Sequence, residues 1–435
     1  MKLSNCIKYS GFSSFSKNGN LLSIAKGNNL IIYEVNTLKK VNKYNFTSQI
    51  TQIEFSPDSN YILVGLYKLN EIEIKNLQNN KTIIKISQPI FGISNSIFSP
   101  DSTKLLLFSN YNIRLDIYDL TKEKNNSYIS YPKYNNKAYS FSPNNFFFAI
   151  AERKNVKDYI NIFYSGDYTL LSRFPSNTSD LSNLIWTKDN SSIIVIENEI
   201  ECKLLIYSVT GNLLMINEAY NNNLGIFLIN ISPNGHFITV AYGDNNIRLF
   251  HYITYKKICC LNHNLDDINL KNENDNVKVN IIKEVNGKFE RYFEKNINGY
   301  LLKGNNKKNN INNKNEKNIC LMEYNFDSIY LASKSSLYEN IVFIWNIPSL
   351  TLNCIIILNS NIIDFKWSPF ENKLIIATNN LSIYIYTINK MYILNLPTDN
   401  FNFSKMTWNE DGKSILIQDK NKMFIAYSDI EELNE

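Results

Sequence analysis

Short apolar runs recur along this chain, each opened by a polar turn and followed by an alternating run that ends on an aromatic. The apolar runs lie at 61–64, 104–108, 192–196, 237–240, 373–377 and 414–417. Their length and content suit strands buried on both faces. The alternating runs lie at 30–33, 115–118, 160–163, 204–207, 247–250, 342–345 and 383–386. A looser fourth strand closes each unit, as at 82–86 and 256–260.

The turns are themselves a repeat. FSKNG starts at Phe15, FSPDS at Phe55 and again at Phe98, FSPNN at Phe141, WTKDN at Trp186, ISPNG at Ile231, YNFDS at Tyr324, WSPFE at Trp367 and WNEDG at Trp408. Successive starts differ by 40, 43, 43, 45, 45, 93, 43 and 41 residues. In each tract a large apolar residue ends a strand. Pro, where present, presets a type I turn, and Asp, Asn, Gly or Ser completes the reversal.

Four strands in about 40–45 residues is the period of a propeller blade. One blade cannot bury both its faces, so neighbours must sandwich it and the first must meet the last. The expected fold is all-β: a β-propeller of nine four-stranded blades in one closed ring. A seven-bladed ring with two further units, or two rings, would use the same tracts, and the sequence leaves closure open. The last unit, 404–429, has room for three strands, so 3–10 is expected to supply its fourth. The long interval places an insertion between blades six and seven. Its tract GNNKKNNINNKNEKN, from Gly304, holds too little apolar surface to order itself. The expected organisation is blades one to six over 1–262, a largely disordered insertion over 263–318 and blades seven to nine over 319–435. Within the insertion, 277–293 is the part suited to local packing.

Composition agrees with strands: 44% of residues are hydrophobic, with 28 Tyr and 25 Phe. The net charge of +5 comes from 45 basic and 40 acidic residues interleaved along the chain. No dense basic stripe marks a nucleic-acid footprint. The six cysteines form no CxxC pair, which fits free thiols in a reducing compartment. The first residues lack a signal-peptide run, and no apolar stretch approaches the roughly 20 residues that span a bilayer. A soluble intracellular protein with no nucleic-acid or membrane partner is expected.

Candidate chemistry is sparse. The histidines His236, His251 and His263 show no metal-ligand spacing and read as surface or turn residues. No phosphate loop, nucleophile elbow or HExxH occurs, so no catalytic, cofactor or metal residues are assigned. The third strands keep their aromatic but mostly lose the Trp-Asp ending of many such repeats, as in Tyr33-Glu34, Trp345-Asn346 and Tyr386-Thr387. The blades are therefore expected to rely more on packing than on buried polar pairs.

Longer stretches carry a resemblance. They are AERKNVKDYINIF from Ala151, SDLSNLIW from Ser179, CKLLIYSVTGNLL from Cys202, EAYNNNLGI from Glu218 and GDNNIRLFHYITYKKI from Gly243, with VNTLKK from Val35 and YISYPK from Tyr128. Together they resemble a centrosomal and spindle-pole WD-repeat family often called WD-repeat protein eight, over nearly the whole chain. The resemblance implies a non-catalytic scaffold in the cytoplasm, at the centrosome, spindle pole or other microtubule-organising centre. It implies a coiled-coil anchoring partner and, in some lineages, a minus-end-directed kinesin. The implied work is tethering microtubule minus ends, organising the spindle and assisting cilium assembly.

Loops that join fourth strands to the next blade, and second strands to third, should share one face. On it fall Tyr67 and Lys68; Tyr131 and Lys133; Glu152, Arg153, Lys154, Lys157 and Asp158; Asp180; and Glu218 and Tyr220. These are expected to hold a helical or extended segment of the partner. Tyr131 and Tyr220 would give amphipathic anchor area, and Arg153 would meet a carboxylate or pair with Asp158. Two rival readings use the same fold, a translation-initiation scaffold and a propeller enzyme. The acidic run DIEELNE and the lack of a basic tail weigh against the first.

Overall fold

The computed structural model describes all residues except 80–81, 123, 199, 219–224, 275–277, 295–296, 298–318, 389, 399 and 429–435. Among the described residues the strands form nine sheets, and the fold is a nine-bladed β-propeller of four-stranded blades. Blade three is typical. Its strands Asn95–Phe98, Lys104–Phe108, Arg114–Asp119 and Lys124–Ser130 pair antiparallel in chain order.

The repeated turn has one geometry. In blade two, Ser59 N donates to Ser56 O (2.8 Å), while Asn60 N and Tyr61 N donate to the side chains of Asp58 (3.1 Å) and Ser56 (2.9 Å). The fifth tract residue takes a left-handed backbone in eight of the nine copies: Gly19, Ser59, Ser102, Asn145, Asn190, Gly235, Ser328 and Gly412. Glycine is free to do this, whereas serine and asparagine do so at a cost. They offset it by stapling blades together. Ser59 Oγ accepts from Asn18 N (3.1 Å), Ser102 Oγ from Asp58 N (3.1 Å), Asn190 Oδ1 from Asn144 N (2.9 Å) and Ser328 Oγ from Asn234 N (2.9 Å). Each bond satisfies a backbone donor of the preceding blade.

The chain falls into two units. One comprises Lys2–Glu197, Leu204–Asn217 and Asn409–Glu435; the other comprises Asn198–Lys203 and Glu218–Trp408. In the first, apolar faces of consecutive blades interlock. Leu106, Phe108 and Ile117 of blade three meet Phe148 and Ile150 of blade four. On blade four's other side Ala149, Ala151 and Ile162 meet Leu184, Trp186 and Val195 of blade five. Each such leucine or isoleucine, fully buried, contributes about 1.5–3 kcal/mol. The expected closing strand is present: Lys2–Leu3 and Ile7–Lys8 pair with Lys422–Tyr427 of blade nine. Tyr9 lies in the core between Leu22 and Ile24 of blade one and Leu416 and Ile425 of blade nine.

In the second unit the insertion departs from expectation. A helix, Leu265–Asn274, is followed by a hairpin of Val279–Val285 and Lys288–Glu294. Val279–Val285 pairs parallel with Thr351–Ile357, the fourth strand of blade seven, making a six-stranded sheet. The expectation of a largely disordered insertion is corrected for these residues, while that of local packing is met over 279–293. Val279, Ile281 and Ile282 are buried, and the reversal at Asn286-Gly287 has both residues at positive φ, the two-residue hairpin turn. The expectation for the Asn-Lys tract falls on 298–318, outside the described residues. No helix among those described is long and apolar enough to cross a membrane.

Candidate functional site

Blade four carries the longest second and third strands described, Phe147–Lys154 and Lys157–Tyr164, eight residues each against six or fewer in the other blades. They are joined by Asn155-Val156, both at positive φ (50° and 63°), a type I′ turn whose twist suits the hairpin. A β-branched residue in that region is strained. Val156 is nonetheless 80% exposed at the tip.

The connection from blade three lies along this hairpin. Pro132 bridges to Glu152, Lys133 N donates to Ala151 O (2.8 Å), and Arg153 N donates to Tyr131 O (3.1 Å). This track carries the Lys133 ammonium inside. Lys133 Nζ lies 2.6 Å from both Asp158 Oδ2 and Asp180 Oδ1. Its side chain is 3% exposed and that of Asp158 is 0%. Asp158 Oδ2 also accepts from Leu181 N (2.8 Å), at the start of blade five. Arg153 Nη1 bonds Asp180 Oδ1 at 2.7 Å and stands 3.8 Å from Asp158 Oδ1. One ammonium and one guanidinium thus face two carboxylates, linking the end of blade three, the hairpin of blade four and the entry to blade five. Beside them the Tyr134 phenol is pushed up, first by burial and then by the charges of Asp180 and Asp158.

Several residues expected to touch a partner instead hold the loops. Lys133, Glu152 and Asp158 are buried. Glu152 accepts from Asn161 Nδ2 (2.7 Å) and pairs with Arg173 (3.2 Å). Arg153 and Asp180 are half-exposed, and Tyr131, Lys154 and Lys157 are exposed. Tyr67 turns inward, its hydroxyl bonded to Gln52 and to Ser96 (2.6 Å). Lys68 is exposed on blade two and bonds Gln49 (2.9 Å). Glu218 is exposed in the other unit, and Tyr220 lies outside the described residues.

Two residues that sequence reasoning passed over complete the surface, Val156 and Tyr111. Tyr111 sits in blade three's loop between its second and third strands, 94% exposed at φ 59°. That loop abuts the Tyr131 track: Tyr131 N donates to Ile113 O (2.9 Å) and Asn112 Nδ2 to Lys133 O (3.0 Å). Tyr131 is 52% exposed at φ 53°. Three bulky residues on neighbouring loops are therefore both strained and turned outward. The signal available in sequence was weak: a bulky residue at a turn where Gly or Asn is usual.

The expectation for His263 is overturned. It is fully buried, its Nε2 2.7 Å from Ser333 Oγ, its ring edge-on to Phe343 (4.9 Å) and Trp345 (5.2 Å). Trp345 Nε1 donates to the same Ser333 Oγ (2.9 Å). Burial pushes the imidazole down to about 3, so the ring is neutral. With the Lys133 cluster, this shows that blades four and seven keep buried polar braces alongside the packing that was expected to dominate. Among the described residues, no group of three or more His, Cys, Asp or Glu could hold a metal.

The chain matches no family model. It is 27% identical over 455 aligned residues to the mouse (Mus musculus) WD repeat-containing protein WRAP73, covering 99% of this chain and 97% of the relative. It is 24% identical over 340 residues to an uncharacterized WD repeat-containing protein of Schizosaccharomyces pombe, covering 74% and 67%. Among solved structures it superposes on the C-terminal WD40 domain of Sif2 with a TM-score of 0.54 at 11% identity, covering 98% and 99%. It superposes on a eukaryotic initiation factor with a TM-score of 0.60 at 12% identity, covering 88% and 87%. At those identities the structures speak for fold alone.

Proposed function

We propose that this chain, a WD-repeat propeller, is a non-catalytic docking scaffold that presents the loops of blades three to five to a protein partner. The observation that carries this reading is the set Tyr111, Tyr131 and Val156, exposed and held at positive φ. Strained backbone persists only where its surroundings over-determine it, and such positions cluster where ligands bind. The brace of buried Lys133 and Asp158 with half-exposed Asp180 supplies the over-determination. Loops fixed before binding lose little entropy on docking, which favours affinity. Arg153, Lys154 and Lys157 surround the tip with positive charge and suit an acidic stripe on the partner.

The partner is a coiled-coil anchoring protein at the microtubule-organising centre, with a minus-end-directed kinesin as a further member. The chain works in the cytoplasm at centrosomes or spindle poles and helps anchor microtubule minus ends, organise the spindle and assist cilium assembly. Support for this finer reading is the family resemblance in the stretches from Tyr128, Ala151 and Ser179, which contain the braced loops. Fluorescent tagging in dividing cells tests it. Foci at spindle poles support it; diffuse cytosolic signal, or co-sedimentation with ribosomal subunits, overturns it.

A further inference from the structure

The added hairpin of blade seven makes a second recognition feature, separate from the braced loops. Its outer strand, Lys288–Glu294, is the last of the six-stranded sheet, and among the described residues no strand pairs with its other side. Opposite it runs Met391–Asn395, the fourth strand of blade eight. Between them lies a groove of about 490 Å³. Ile282, Phe289, Met391 and Ile393 give it an apolar lining. Lys288, Arg291 and Lys390 also line it, all exposed, and among the described residues no carboxylate does.

The hairpin is anchored rather than loose. Phe289 packs edge-on to Tyr384 of blade eight (6.0 Å), and Arg291 Nη2 donates to Ile388 O (3.2 Å). Buried Glu284 accepts from Tyr384 Oη (3.1 Å) and Asn359 N (3.0 Å). Side chains alternate along a strand, so Phe289, Arg291 and Phe293 share one face. Phe293 is 59% exposed. The feature is thus a held strand edge whose face of Phe289, Arg291 and Phe293 alternates apolar and cationic positions beside a groove, while Lys288, Glu290 and Glu294 belong to its other face.

We infer that this edge binds an extended acidic peptide segment of another protein by strand addition. An open strand edge offers backbone donors and acceptors to an incoming strand, and flanking pockets read its alternate side chains. Apolar side chains of the segment would enter the groove while its carboxylates meet Lys288, Arg291 and Lys390. Charge argues against the chain's own adjacent tract as occupant. Residues 303–318 carry Lys303, Lys307, Lys308, Lys314 and Lys317 against one acid, Glu316.

The test is fluorescence polarisation with the full chain and a labelled short peptide alternating glutamate with isoleucine and phenylalanine. A lysine-for-glutamate peptide and a peptide with a central proline serve as comparisons. The glutamate peptide should bind, more weakly as salt rises, and the proline peptide should not, because it cannot donate to the ladder. Lys288→Glu with Lys390→Glu should weaken binding about tenfold or more, as two rim charges reverse sign. These side chains are exposed, so the fold should survive, and circular dichroism checks it. Phe289→Ala should weaken binding without changing its salt dependence. Failure of the glutamate peptide to bind, equal binding of the lysine peptide, or indifference to the double charge reversal overturns the inference. So does tighter binding on deletion of 298–318, which would assign the groove to the chain's own tract. A dimer that Arg291→Glu dissolves would assign it to a second copy and equally overturn it.

Discussion

Replacing Lys133 by methionine removes the ammonium at the centre of the brace and leaves Asp158 buried, with Leu181 N–H at 2.8 Å and Arg153 only at 3.8 Å. Breaking one side of a buried ion pair costs about 3–5 kcal/mol, because the survivor is an uncompensated charge. The backbone donor that remains places this case at the low end, about 3 kcal/mol. Asp158→Leu should cost a similar amount, since it strips Leu181 N–H of its acceptor while Lys133 keeps Asp180 as a partner. The double variant Lys133→Met with Asp158→Leu should recover most of the loss, because a neutral packed pair avoids desolvating charge. Arg153→Ala, at a pair whose side chains are 38% and 39% exposed, should cost at most about 1 kcal/mol. A protein of many blades need not unfold in one step, so the assay pairs urea denaturation by circular dichroism with hydrogen exchange over 131–134 and 151–158. The predicted result is a coupling energy of about 2 kcal/mol or more in the Lys133/Asp158 cycle, with faster exchange confined to those segments. A coupling under about 0.5 kcal/mol, or equal costs for Lys133→Met and Arg153→Ala, would refute the reasoning.

Three further outcomes are expected. Val156→Gly relieves a left-handed β-branched residue, worth roughly 1–2 kcal/mol, against a glycine entropy cost of about 0.5–1; calorimetry should show a slightly more stable protein that binds its partner less well. The neutral His263 has its ordinary value, 6.5, only in the unfolded chain, so its contribution is complete above that pH and is lost as pH falls toward 3. The advantage of the parent over His263→Asn should shrink by about 2 kcal/mol between pH 7 and pH 5, at about 1.4 kcal/mol per unit. Glu323, pushed by burial to about 7, acts oppositely, its contribution being lost as pH rises from 4.5, and subtracting the variant's curve removes that term. Deleting residues 1–10 strips the closing strand and the Tyr9 side chain from blade nine, and the thermal midpoint should fall by several degrees, with exchange rising over 414–427.

The blades were legible because their signal is local and repeated. A turn such as FSPDS followed by four apolar residues states both a reversal and a buried strand, and the 43-residue spacing states the stacking. Closure by the N-terminal segment followed from counting strands in the last unit. The packing of the hairpin at 279–294 was legible in the apolar content of 277–293, but its turn at Asn286-Gly287, a strong signal between alternating residues, was masked by the neighbouring Asn-Lys tract. Of the braces only the pairing of Arg153 with Asp158 was legible, as one of two readings. The strands His263 supports begin 56 residues later, at Ile319, so reading along the chain separates the ring from its cage. Lys133 looked like a surface contact because lysine usually is one. Only the approach of Asp158 and Asp180 from later blades makes it a buried cation.

If the braced loops of blades three to five hold the partner, removing their exposed side chains should release it. Quantitative proximity labelling in dividing cells tests it most directly, comparing the parent with a Tyr131→Ala, Arg153→Glu, Val156→Gly triple variant that folds normally by circular dichroism. Labelling of one coiled-coil protein at spindle poles should be lost while the variant stays abundant. Undiminished labelling of that protein by the folded variant would contradict it.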